Sequence, residues 1–253
     1  MNFIWIWNGR KIKQYMIIII AAFFTAGILY VERSQVTVFS PTAAATAIYK
    51  AETEEKKLAL TFNISWGEAK AVPILDILKE HEINNATFFL SASWAERHPD
   101  IVERINKDGH EIGSHGYRYE DYPQWDEDKI RKDIQRAHQV LYELTNKSAK
   151  LLRPPNGNFD KRVLKIAEAQ KYKLIHWSVD SKDYSNPGAD QIIRNVVDVV
   201  SNGDIVLFHA SDRVKQTHTA LPTIIKELKK QGYSFVSVSE LIASTDAKSK
   251  EVN

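Results

Sequence analysis

The sequence predicts an α/β fold: a distorted (β/α) barrel with about seven parallel strands, preceded by an N-terminal transmembrane helix. Three observations carry the barrel. From residue 58 onward, short apolar runs alternate strictly with amphipathic stretches, which implies parallel strands joined by helical crossovers. Asp108-Gly109, Asn202-Gly203 and Gln231-Gly232 each separate an amphipathic stretch from the next apolar run, the place where a C-cap glycine ends a helix. Polar residues close the apolar runs early, midway and late in the chain. A closed parallel barrel gathers all those strand ends on one face, whereas an open sheet gathers only the ones near its switch point.

The first element is the uncharged run from Tyr15 to Val31. At about 1.5 Å per residue it spans roughly 25 Å, the short end of a transmembrane helix. Arg10, Lys11 and Lys13 precede it. The basic excess places residues 1–14 in the cytoplasm and the remainder outside. A cleaved signal peptide is the competing reading, because Ala43-Ala44-Ala45 and Ala45-Thr46-Ala47 are small-x-small sites. They lie more than ten residues past the apolar run, which favours an uncleaved anchor in the cell membrane. Residues 32–57, with Ser40-Pro41 and an alanine-threonine stretch, read as a linker.

The domain is expected over 58–242. Its strands are predicted at 58–62, 86–90, 110–114, 150–153, 173–178, 204–209 and 234–238. Its helices are predicted at 69–81, 94–107, 126–145, 160–171, 189–201 and 216–231. Ile130, Ile134, Ala137, Leu141 and Leu144 follow a 3.6 period, as do Ile192, Val196, Val199 and Val200. Residues 243–253 are polar and read as a frayed tail.

Composition removes several functions. The net charge is +2 over 253 residues, with both signs interspersed, so nothing argues for nucleic acid as a partner. There is no cysteine, which excludes thiol nucleophiles, thiolate metal sites and disulfides. Asp180 and Asp183 sit three apart on one loop, which does not suit the two carboxylates that flank a glycosidic bond in glycosidases.

Residues that close the strands are of the kind that do hydrolysis, at His115, Arg153-Pro154-Pro155, Asp180 and Asp183, and His209, whereas the first run, Leu58–Phe62, ends in Asn63-Ile64, where metal-assisted hydrolysis would want paired carboxylates. In the order they occur, these motifs resemble the polysaccharide deacetylase family, the NodB homology domain, and within it the sporulation-associated PdaB-type branch. Thr61-Phe62 is similar to the opening of its TFDD motif, His115 to the first histidine of H-[ST]-x-x-H, and Arg153-Pro154-Pro155 with Gly157 to RPPxG. Asp180 to Tyr184 resembles DxxDW and Leu207-Phe208-His209 resembles L-x-H. The resemblance implies removal of acetyl groups from N-acetylated cell-wall glycans such as peptidoglycan. It implies a general acid at His209, oriented by Asp183, and an arginine at Arg153 that pairs with the catalytic base.

The same resemblance marks what has been replaced. The base position holds Asn63, whose amide is not basic near neutral pH. The divalent metal, zinc in kind, would be held at Ile64, His115 and Tyr119, of which only His115 is a ligand type. A catalytic zinc uses three protein ligands, so no metal is expected here. Arg153 is left to a structural ion pair or to Asp180 as a substitute partner. His115 is left to bind a glycan hydroxyl or to pack. His209 is either the acid or a satisfied core histidine. Tyr119, Pro154, Pro155, Asp180, Tyr184 and Trp66 are expected to meet the glycan, with Tyr117 and Trp125 as further aromatic candidates. The reading is a membrane-anchored N-deacetylase-type hydrolase, with a glycan-binding pseudoenzyme as the alternative.

Overall fold

The computed structural model describes residues 47–243 and the backbone of 246–250. The expected cytoplasmic segment, the membrane span at 15–31 and the first part of the linker lie outside the described residues. Among the described residues no helix is long and apolar enough to cross a membrane.

In chain order the strands are β1 (Ala47–Glu52), β2 (Lys57–Ile64), β3 (Thr87–Leu90), β4 (Glu111–Ser114), β5 (Leu151–Leu152), β6 (Lys173–Leu174), β7 (Val179–Asp180), β8 (Ile205–His209), β9 (Ser234–Phe235) and β10 (Asp246–Lys250). The helices are α1 (Ala71–Glu80), α2 (Ala92–Ala95), α3 (Pro99–Lys107), α4 (Glu127–Thr145), α5 (Lys161–Ala169), α6 (Ala189–Val197), α7 (Thr217–Lys230) and α8 (Val238–Ala243).

Seven strands pair in the order β6-β5-β4-β3-β2-β8-β7, and every pairing is parallel. The two edge strands, β6 and β7, follow each other in the chain. Residues 175–178 cross from one edge to the other, which holds the edges within about 18 Å. The sheet is therefore curled into a half-barrel whose gap is spanned by the chain itself. The strand expected at 173–178 keeps only β6, the rest of it being this crossing, and β7 begins just beyond its expected end. Ile175 is fully buried there, so the crossing reads as an apolar run without being a strand.

Other expected elements shift for local reasons. The helix expected at 94–107 breaks between α2 and α3, because Pro99 takes the first position of α3 and restricts His98 before it. The strand expected at 234–238 keeps only β9, which pairs with the start of β2, and Val238 begins a helix instead. Residues 47–52, expected in the linker, form β1 and pair antiparallel with β10, expected in the tail. β1 also bridges Ile175 beside β6 and Asp204 before β8, so it lies across the gap.

The pleat sorts β2 by alternation. Leu58, Leu60, Phe62 and Ile64 join the core beneath the helices. Phe62 stacks on Phe88 at 5.0 Å and on Phe208 at 5.5 Å. Ala59 faces inward with Phe89, Leu151 and Ile205, and above it Thr61 and Asn63 face the polar mouth. The helices start where the sequence provides caps. Asp126 accepts from the backbone of Lys129 at 2.8 Å, and Asp160 accepts from Val163 at 3.0 Å, each satisfying an orphan amide.

Candidate functional site

The C-terminal ends of β2, β3, β4 and β5 converge on one arginine. Arg153, just past β5, is fully buried. Its Nη1 donates to Thr61 Oγ1 at 2.9 Å and to Asn63 Oδ1 at 3.0 Å, and its Nη2 donates to the His176 carbonyl at 2.8 Å. The Thr61 hydroxyl in turn donates to the Val206 carbonyl at 2.7 Å. The guanidinium lies 4.1 Å over the Phe89 ring. That ring lies flat on Gly113, its partner in register on β4, where an added Cβ would stand 2.6 Å from it. Burial pushes Arg153 down to about 9, so it remains charged at neutral pH. Among the described residues no carboxylate pairs with it. The expected substitute, Asp180, instead accepts from the Lys182 backbone at 2.8 Å and from the Tyr184 hydroxyl at 3.3 Å.

Arg153 also fixes the Asn63 amide. An arginine can only donate, so Oδ1 must face it, and the Asn63 nitrogen is left to face the pocket it lines. The position therefore presents a donor where hydrolysis would want a base.

His115 is fully buried and held through Nδ1 against the Arg153 carbonyl at 2.5 Å. A carbonyl accepts, so Nδ1 carries the proton and Nε2 a lone pair. Burial pushes the imidazole down to about 3, so it is neutral. Its Nε2 has no hydrogen-bond partner. The Tyr119 ring stands edge-on at 4.9 Å. This seals His115 from the cleft, so the expected glycan contact is not available to it. For a divalent metal, His115 Nε2 is a fitting ligand. Ile64 is aliphatic and fully buried in the helical core, and burial raises the Tyr119 phenol, which makes phenolate ligation harder. The three positions do not fit a three-ligand site. Among the described residues no group of three His, Cys, Asp or Glu could hold a metal.

The opposite wall is fully formed. His209 ends β8 in register with Asn63. Its Nδ1 donates to Asp183 Oδ1 at 2.8 Å, and its backbone N–H donates to Oδ2 at 2.7 Å. Thr217, at the start of α7, donates its hydroxyl to Oδ2 at 2.7 Å. Asp183 is fully buried and accepts three bonds, which makes its charge tolerable there. The pairing fixes the tautomer, so the neutral ring presents Nε2 to the cleft.

Two connected hollows meet at His209. The inner one, about 300 Å³, is lined by Asn63, Tyr119, Trp177, Asp180, Leu207 and His209 among others. The outer one, about 850 Å³, includes Trp66, Tyr119, Tyr184 and His209. Trp66 is 62% and Tyr184 53% exposed, and Tyr184 meets His209 edge-on at 5.7 Å. The other aromatic candidates point elsewhere: Trp125 packs on Tyr122 in a core, and Tyr117 lies under Arg136. Pro154 and Pro155 are buried. They frame the turn that carries Asn156 and do not reach the cleft as expected. Thr217 was not among the sequence candidates. It stands eight residues past His209 in no motif, and only the fold of α7 brings it to Asp183.

Comparison with known proteins places this arrangement. A model of the polysaccharide deacetylase family matches residues 50–175. The chain is 38% identical over 192 residues to a peptidoglycan-N-acetylglucosamine deacetylase of Bacillus cereus, covering 74% of this chain and 89% of that one. It is 30% identical over 198 residues to the uncharacterized protein YlxY of Bacillus subtilis, covering 78% of this chain but 61% of YlxY. Among solved structures it is similar to BA3943 of Bacillus anthracis, described as a CE4 family pseudoenzyme. The TM-score is 0.74 and the identity 32%, over 80% of this chain and 70% of that one. A BA3943 mutant described as having restored enzymatic activity gives the same TM-score and identity, over 73% of its chain.

Proposed function

The chain belongs to the polysaccharide deacetylase family, and from that premise we propose that it acts on the N-acetylated glycan of peptidoglycan as an N-deacetylase-type hydrolase. The observation that carries this is the Asp183–His209 pair at 2.8 Å, with His209 Nε2 turned to the cleft. The B. cereus deacetylase supports the substrate class.

The chain's own residues allow a metal-free sequence. Water attacks the acetyl carbonyl carbon while His209 Nε2 takes its proton. The C–N bond then breaks as His209 returns a proton to the sugar nitrogen. Acetic acid and the sugar amine leave, ionising to acetate and ammonium, and neutral His209 is regenerated. Asp183 stabilises the imidazolium between the two transfers. Asn63 donates to the acetyl oxygen, and Trp177 and Leu207 give the methyl an apolar wall. Zinc would ordinarily lower the pKa of the attacking water to about 7, so turnover without it is expected to be slow.

A second reading is favoured by one observation: the Asn63 amide offers a donor at the base position. In that reading the chain binds glycan without hydrolysing it, as the CE4 pseudoenzyme similarity supports. Acetate release from N-acetylated muropeptides, with and without added zinc or cobalt, separates the two. No release under either condition sinks the hydrolase and leaves the binding protein.

The run at 15–31 supports a further part of the proposal, a signal-anchor that holds the domain outside the cytoplasm at the cell membrane. Recovery of the full chain in the soluble fraction after cell lysis would contradict it. The resemblance to the PdaB-type branch supports a role in sporulation. A deletion strain whose spore cortex muropeptides are unchanged would overturn that role.

A further inference from the structure

We infer that the outer cleft is built for an anionic glycan, one that carries carboxylate or phosphate groups beside the sugar bound at His209. This rests on the glycan reading above and names the substrate class of that same cleft. Arg97, Arg118 and Arg213 all line it. They arrive on three separate loops, after α2, β4 and β8. All three are exposed. Among the described residues none of their guanidinium groups has a hydrogen-bond or ion-pair partner. Other arginines are tied down, Arg104 to Asp76 at 2.6 Å, Arg162 to Asp160 at 2.7 Å and Arg194 to Gln191 at 2.7 Å, and Arg136 lies over the Tyr117 ring.

The carboxylates next in sequence are turned away from the cleft. Glu96 accepts from the Tyr117 hydroxyl at 2.9 Å. Asp212 accepts from the backbone of Glu68 at 3.2 Å and of Lys70 at 3.0 Å. Among the described residues no carboxylate lines the outer cleft itself. With a net charge of only +2 on the whole chain, this concentration is local rather than a general basic excess. Three like charges around one hollow repel each other until a ligand supplies the opposite charge. Guanidinium groups match carboxylate and phosphate in a bidentate fork. A neutral glycan such as chitin offers neither. Trp66 and Tyr184 on the same rim offer faces for the sugar rings.

The two sources of anion are the lactyl and peptide carboxylates of muramyl residues and the phosphodiesters of wall polymers. The test is titration calorimetry of the full chain in detergent micelles with three probes. These are chitotetraose, a muramyl-containing tetrasaccharide with free lactyl carboxylates, and poly(glycerol phosphate). An anionic probe is expected to bind about tenfold more tightly than chitotetraose at low salt. The advantage should shrink in about 0.5 M salt. Arg97→Gln, Arg118→Gln and Arg213→Gln should each weaken the preferred anionic probe roughly three- to tenfold and leave chitotetraose unchanged. Whichever anionic probe binds more tightly identifies the source. Equal binding of chitotetraose and both anionic probes overturns the inference, as do arginine variants that weaken all probes alike. Binding of none of the three overturns the glycan reading itself.

Discussion

Arg153 donates to Asn63 Oδ1 at 3.0 Å from a fully buried guanidinium, so a permanent charge rests on an amide where a carboxylate would neutralise it. Its other partners are a hydroxyl and a backbone carbonyl, and aromatic faces at Phe89 and Trp177 carry part of the load. The cost of desolvation is met by neutral hydrogen-bond acceptors and aromatic faces, with no carboxylate among the described residues, and Nε is left without a hydrogen-bond partner.

Asn63→Asp should therefore stabilise the fold. It puts a carboxylate in register with a donor already aimed at it, worth about 1–3 kcal/mol in a buried charge-assisted pair. The Arg153 charge would hold the new carboxyl below the usual range. The gain is then present above the unfolded value of about 3.9 and lost as pH falls through the lower folded value. Urea midpoints at pH 7 and pH 3 check this. A midpoint unchanged at pH 7 would show that Arg153 is already fully compensated.

Acetate release by the same variant is expected to stay at or below the parent level, because it loses the Asn63 donor to the acetyl oxygen while the replaced metal positions Ile64 and Tyr119 are untouched. A tenfold or greater rise without added metal would assign the defect to the single missing base.

Thr217 and Asp183 give a separate test. Thr217→Val removes one of the three donors to the Asp183 carboxylate and should cost about 1–2 kcal/mol. Asp183→Asn removes the acceptor that holds the proton on His209 Nδ1. Nitrogen-15 spectra of the imidazole should then show the Nε2–H tautomer rising, which a merely structural role for Asp183 would not produce.

The legible and illegible parts of this chain divide on physical grounds. β2, β3 and β8 are readable as short apolar runs, and β4 and β8 are marked by the Asp108-Gly109 and Asn202-Gly203 pairs before them. His209, Asp183 and Arg153 were readable because each ends or follows such a run. The crossing at 175–178 was not, since burial alone makes it apolar and periodicity cannot tell a crossing from a strand. β1 was not, because its partner β10 is distant in sequence and its own residues, AIYKAE, give no two-residue alternation. Thr217 was not, because its role depends on the packing of α7 rather than on any local pattern. The burial of His115 beneath Tyr119 depends in the same way on a loop residue with φ of 58°.

Gly113→Ala tests the support under Arg153. The new Cβ would stand 2.6 Å from Phe89, a fully buried ring that also carries the guanidinium. Overpacking of this kind costs about 1–3 kcal/mol. Thermal unfolding should show the loss, and an unchanged midpoint would mean that Phe89 can yield.

The last prediction concerns acid. His110, just before β4, is 4% exposed and packs on Phe88 at 5.2 Å. Burial pushes it down to about 4, and pushes His115 to about 3. Both start from an ordinary value of 6.5. Above that pH neither state binds the protons, and the contribution to stability is complete. Below it the unfolded chain takes protons that the folded chain refuses, so stability falls with pH. The slope is at most about 1.4 kcal/mol per unit for each histidine. For His110 it levels off near its folded value of about 4. Urea unfolding between pH 7.5 and 5 should show a loss of roughly 2–4 kcal/mol, nearly all below pH 6.5. His110→Gln removes one of the two groups without touching the cleft, and it should cut that slope by about half whatever it does to stability at pH 7.5. An identical slope in the variant would mean that His110 titrates normally in the folded protein.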